Sequence, residues 1–88
     1  MKARRVLIRG RVQGVGYRDW MVRQAEALGV QGWVRNRPDG AVEALVAGEE
    51  AAVQVLLSAC RRGPILARVD EITEEFAEPP EEPGFRRT

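Results

Sequence analysis

Gly14, Gly16 and Arg18 fall within five residues of one another in the stretch "GRVQGVGYR" (Gly10 to Arg18), and the chain contains no histidine. A glycine inside a strand or helix costs roughly 0.5–1 kcal/mol relative to alanine, so three in seven residues point to a special backbone shape or to the close approach of a ligand. A glycine-rich turn that leaves a strand and enters a helix gathers main-chain N–H groups, and the helix N-terminus adds a partial positive charge. Together they make a cradle for a phosphate-sized anion. Arg18 would add a planar two-donor clamp. The same glycines also fit a tight strand-to-helix turn with no ligand, and spacing alone leaves both readings open. The segment lacks the GxxxxGK[ST] order of a Walker A loop and the GxGxxG order of a dinucleotide fingerprint. The absence of histidine removes the commonest general base and metal ligand, and the single Cys60 makes a structural zinc site untenable. Any chemistry must therefore rest on positioning and electrostatics, or on carboxylates.

The elements that would position these groups follow from periodicity. "RRVLIRGRV" alternates, with Val6, Ile8 and Val12 on one side and Arg5, Arg9 and Arg11 on the other, the period broken at Gly10, so it reads as a first strand whose basic side faces water. Tyr17, Met21, Ala25 and Leu28 recur at helical spacing, and Gly29 follows as a stop signal. "VQGWVRN" and "AVEALVA" are strand-like and flank "RPDG", a proline and Asp-Gly turn, which predicts a hairpin with Asn36 at its turn end. Glu49 and Glu50 open a second helix with the apolar stripe Ala52, Val53, Leu56, Leu57 and Cys60. Arg61 and Arg62 follow, the order a helix dipole favours. Val69 to Phe76 form a last long strand, where the three-residue step from Val69 to Ile72 requires a bulge or a start after Val69. The proline- and glutamate-rich tail leads to a short edge piece at Phe85. The order βαββαβ is that of an α+β, ferredoxin-like split βαβ sandwich, with two helices packed on one face of an antiparallel sheet.

Composition sets the outer limits. Eighty-eight residues are expected to form one domain, residues 1–88, around a single core. The net charge is only +1, but residues 1–40 carry nine Lys or Arg against three Asp or Glu, and residues 41–88 carry five against ten, which puts any anion site in the first half. Cys60 has no partner for an internal disulfide, no apolar run approaches a membrane span, and Arg9 and Arg11 interrupt the start before a signal-peptide core could develop. A cytoplasmic setting is expected, with no membrane partner.

Two segments together resemble the acylphosphatase signatures. "GRVQGVGYR" matches G-x-V-Q-G-V-x-F-R apart from Tyr17 at the phenylalanine, and "GWVRNRPDGAVEALVAG" matches the second pattern from Gly32 to Gly48 without departure. The resemblance covers about residues 5–76. It weakens at "FRRT", where the family usually follows its phenylalanine with a further apolar strand residue, and this puts the closing edge strand in doubt. What the resemblance implies is hydrolysis of the carboxyl-phosphate bond of acyl phosphates without metal or cofactor. Gln13, Gly14, Val15, Gly16, Tyr17 and Arg18 would hold the phosphoryl group, and Asn36 would orient the attacking water. Inorganic phosphate would be product and inhibitor, and the protein is expected to be a monomer.

Each of these residues has an ordinary reading as well. Arg18 is one of thirteen arginines, and an isolated one is most often a solvated charge. Asn36 before "RPDG" could simply form the turn. Trp20 and Trp33 read as packing groups or pocket walls, "GVQG" as a chance match to a KH clamp, and Asp19 as a solvated acid or the partner of a neighbouring arginine. A ferredoxin-like nucleic-acid-binding module is the alternative class, but such modules stack bases on aromatics of their central strands, and "RRVLIRGRV" and "AVEALVA" contain none. A regulatory module of a larger carbamoyl-transfer protein is a second alternative, against which the length of the chain weighs.

Overall fold

A computed structural model describes residues 2–88. The elements run β1 (Lys2–Arg11), α1 (Tyr17–Leu28), β2 (Gln31–Asn36), β3 (Val42–Gly48), α2 (Glu50–Cys60), β4 (Arg68–Ala77) and β5 (Phe85–Arg87). The five strands make one sheet in the order β4-β1-β3-β2-β5. The first four pair antiparallel, as the periodicity predicts. The expectation of a wholly antiparallel sheet needs one correction: β5 runs parallel to β2, with Gly32 opposite Phe85 and Val34 opposite Arg87. β4 and β5 occupy opposite edges, so the tail crosses the width of the sheet before it can add a strand. Phe85, 7% exposed, anchors that strand in the core, and the basic "FRRT" ending does not prevent it.

Period-two alternation sorts the strand side chains onto two faces. Val6, Ile8, Val34, Val42, Ala44 and Val46 lie in one core cluster with Met21 and Ala25 of α1 and Val53, Leu56, Leu57 and Cys60 of α2. Burying each large aliphatic side chain contributes on the order of 1.5–3 kcal/mol, and this layer holds both helices on the sheet. Ala3, Leu45 and Ala47 form a smaller cluster with Trp33 packed against it. Arg5 and Arg35 stand two residues along from Ala3 and Trp33 and so share their face, and the open face of the sheet combines a thin apolar patch with charge. The irregular step in β4 is a bulge: Arg9 pairs with Glu71 and Gly10 with Val69, leaving Asp70 as the extra residue. Gly29 closes α1 as expected, its N–H donating to Ala25 and Glu26 carbonyls.

The β2–β3 hairpin is set by its own turn chemistry. Arg37 N–H donates to Ala41 O at 2.8 Å and Gly40 N–H to Arg37 O at 3.1 Å, while Asp39 Oδ1 accepts the Ala41 N–H at 3.1 Å. That last bond, helped by the charges of Arg37 and Arg9, holds the Asp39 carboxyl below its usual range. No helix among the described residues is long and apolar enough to cross a membrane.

Candidate active site

The chain leaves β1 at Arg11, turns through residues 12–16, and enters α1 at Tyr17. Gly14 and Gly16 have φ of +74° and +79°, the left-handed region that glycine enters without a Cβ penalty. Gly16 stands at the N-cap, where no side chain caps the helix. The N–H groups from Gln13 to Asp19 donate to no main-chain acceptor among the described residues. The first turn of α1 therefore offers its N–H groups, and the positive end of its dipole, to whatever lies in front of it.

What lies in front is a cavity of about 110 Å³ lined by Val12, Gly14, Gly16, Tyr17, Arg18, Asp19, Asn36 and Arg87. Asn36 ends β2 and shares its face with the buried Val34, two residues earlier, which is the face that carries α1. Its amide makes no hydrogen bond to the protein among the described residues. Arg18, partly exposed, donates from Nη1 to the main-chain oxygen of Thr88 at 3.1 Å and meets no Asp or Glu side chain among the described residues. Its fork keeps further donors unused.

The predicted site residues thus separate into two groups. Gly14, Gly16, Tyr17, Arg18 and Asn36 line one cavity. Gln13 and Val15 do not. Gln13 Nε2 donates to Arg37 O at 2.8 Å and Ala41 O at 2.9 Å, strapping the glycine-rich loop to the hairpin turn just beyond Asn36. Val15 packs against the core. The Tyr17 hydroxyl points away from chemistry: it donates to Cys60 O at 2.6 Å, and burial pushes its pKa well above the ordinary range. The ring stands 5.3 Å from Trp20, edge to face, which makes Trp20 a packing partner. Burial raises the Cys60 thiol to about 11, so at neutral pH it is protonated and no nucleophile.

Arg87 was not legible as a site residue. Its presence depends on β5 adding parallel to β2, and no local pattern around "FRRT" marks that pairing. Asp19, an unassigned acid in the sequence, accepts an ion pair from Arg87 Nε at 3.2 Å. No three His, Cys, Asp or Glu side chains come together as a metal-ligand group among the described residues.

The acylphosphatase family model matches residues 4–87. The chain belongs to the acylphosphatase family. An acylphosphatase of Acidiphilium cryptum strain JF-5 is 64% identical over 85 residues, covering 97% of this chain and 93% of that one. The crystal structure of the Bacillus subtilis acylphosphatase superposes with a TM-score of 0.94 at 35% identity, covering 100% of this chain and 99% of that chain. The same fold is also found as a part of something larger: T. kodakarensis HypF matches with a TM-score of 0.88 at 30% identity, where this chain covers 12% of its length. As an acylphosphatase, the protein hydrolyses acyl phosphates, small molecules with a carboxyl-phosphate bond.

Proposed function

We propose that the loop from Gln13 to Tyr17, with Arg18, holds the phosphoryl group of the acyl phosphate while the Asn36 amide orients the attacking water. The carrying observation is that Arg18, Asn36 and the uncapped start of α1 line one small cavity with hydrogen-bonding capacity left unused. Gln13 serves this arrangement as a strap: its side-chain NH2 is taken up by the two hairpin carbonyls, which leaves its main-chain N–H for the phosphoryl group. Water attacks phosphorus, the bond from phosphorus to the acyl oxygen breaks, and its electron pair leaves on the carboxylate. The proton lost by the water passes to a phosphoryl oxygen, so the products are a carboxylate and inorganic phosphate. A carboxylate is a good leaving group, so no strong general acid is required, and the protein's task is alignment and stabilisation of charge. That division of labour suits a chain without histidine.

On this reading the reaction needs no metal, and turnover persists after exhaustive chelation. Inorganic phosphate competes with substrate, because the cradle is matched to a tetrahedral oxyanion. The enzyme works as a cytoplasmic monomer without nucleic acid. The buried free thiol of Cys60 is in keeping with a reducing compartment.

The test is Arg18→Lys, assayed by phosphate release from a synthetic acyl phosphate and by calorimetric titration with inorganic phosphate. An ammonium keeps the charge but not the planar fork, so kcat/KM is expected to fall by about 10²-fold or more, with weaker phosphate binding. Wild-type rates in that variant would remove Arg18 from the mechanism.

A further inference from the structure

We propose that Arg87 is a second phosphoryl-binding cation, which Asp19 holds at the rim of the cavity until the anion arrives. The inference rests on the phosphate-cradle reading above and extends it to a residue outside both signature segments. Arg87 lines the same cavity as Gly14, Gly16, Arg18 and Asn36. Its orientation follows from alternation along β5: Phe85 is in the core beneath the helices, Arg86 points to the opposite face, and Arg87 returns to the side of α1. There it meets Asp19, in the first turn of the helix whose N-terminus borders the cavity.

Two features favour an active role. The Arg87–Asp19 pair is loose, 3.2 Å long with side chains 48% and 60% exposed, and among the described residues Asp19 is the single Asp or Glu side chain that Arg87 meets. Exposed pairs of this kind are held weakly, so the guanidinium is free to turn to a stronger partner. A phosphoryl group with two negative charges is such a partner, and an arginine fork binds it through two parallel N–H bonds. Arg18 alone supplies one positive charge, shared with the main-chain oxygen of Thr88. Arg87 supplies the second from across the cavity.

A simpler role would have Arg87 only neutralise Asp19, whose charge would otherwise repel phosphate. Arg87→Met alone does not separate the two roles, since it unmasks Asp19 in either case. The separation comes in the Asp19→Asn background, where no acid remains to be neutralised and the methionine keeps much of the packing stem. Wild type, Asp19→Asn, Arg87→Met and the double variant would be titrated with inorganic phosphate at low and high salt and assayed for KM and kcat on a synthetic acyl phosphate. Circular dichroism would check the fold.

Asp19→Asn is expected to bind phosphate more tightly than wild type, by about 2- to 5-fold at low salt. Adding Arg87→Met to it is expected to raise Kd and KM together by about 10-fold, leaving the double variant weaker than wild type, while kcat changes little because the contact is made in both ground and transition states. If Arg87→Met shifts neither Kd nor KM in the Asp19→Asn background, Arg87 is a neutraliser only and the proposal is overturned, with the cradle left standing. If wild type binds no phosphate, or if Arg18→Lys leaves binding unchanged, the cradle reading itself falls and takes this inference with it.

Discussion

Arginines occupy two regions of this molecule in opposite states of saturation. On the open face of the sheet, the carboxylate of Glu43 is 1% exposed and receives Arg5 Nε at 2.5 Å and an Arg35 nitrogen at 2.7 Å, with Arg37 at 3.6 Å; Arg5 also reaches Glu75 at 2.5 Å. At the cavity, among the described residues, Arg18 meets no Asp or Glu side chain, the Asn36 amide meets no partner, and the helix start has no side-chain cap. The difference separates fold from function. Where a buried carboxylate organises the guanidinium groups around it, their donors are spent on joining β1, β2, β3 and β4. At the cavity the lining acid, Asp19, is exposed and pairs with Arg87, which leaves the Arg18 fork and the helix start available for an anion from solution. The open-face arginines are also why the basic side of β1 does not simply face water as its alternation predicts: Arg5 lies between two carboxylates.

The sharpest way to break this contrast is at Asn36. If its unpaired amide orients water, Asn36→Ala should keep fold and phosphate affinity while kcat drops by about 10²-fold or more. Asn36→Asp should lose turnover as well and also bind phosphate more weakly, most clearly at low salt, because a negative charge then stands beside the anion. Near-normal kcat in Asn36→Asp with an unchanged circular dichroism spectrum would reduce the residue to a turn-former.

Glu43 tests the other side of the contrast, with a middling effect on stability and little on chemistry. Burial opposes ionisation of Glu43, but the hydrogen bonds and charges of Arg5 and Arg35 outweigh it and hold its carboxyl below the ordinary glutamate range. A carboxyl depressed in the folded state contributes stability that is present above its unfolded pKa, about 4.3, and lost as pH falls through the lower folded value. Glu43→Gln should therefore flatten the acid limb of stability against pH. At pH 7 it should cost about 1–2 kcal/mol, less than a broken buried pair usually does, because its arginines can reach solvent. Denaturant melts between pH 3 and 7, with kcat at neutral pH largely retained, would bear this out; loss of turnover with stability intact would tie the open face to the chemistry.

The smallest expected effect is at Tyr17, which lines the cavity but spends its hydroxyl on Cys60 O. Tyr17→Phe should cost about 0.5–1.5 kcal/mol in stability, the net worth of one hydrogen bond, with KM and kcat unchanged. A change in KM would place the hydroxyl with the substrate instead of the core.

Much of this was legible in the chain because neighbours along it stay neighbours in the fold. The stripe from Tyr17 to Leu28, the stop at Gly29, the turn at "RPDG" and the stripe from Val53 to Cys60 are patterns of period 3.6 or of local turn chemistry, and each became the element it predicts. The glycine-rich loop and Asn36 were readable for the same reason, since each lies where one element ends or the next begins. Tertiary structure decided the rest. Arg5 finds Glu75 and Arg18 finds Thr88 seventy residues away, and Arg87 reaches Asp19 only because β5 adds parallel at the edge opposite β4. Glu43 is buried because β3 is central in the sheet, and Gln13 is a strap because two carbonyls of a distant turn face its amide. Periodicity tells a residue which face it occupies, but strand order and register determine which residues share that face.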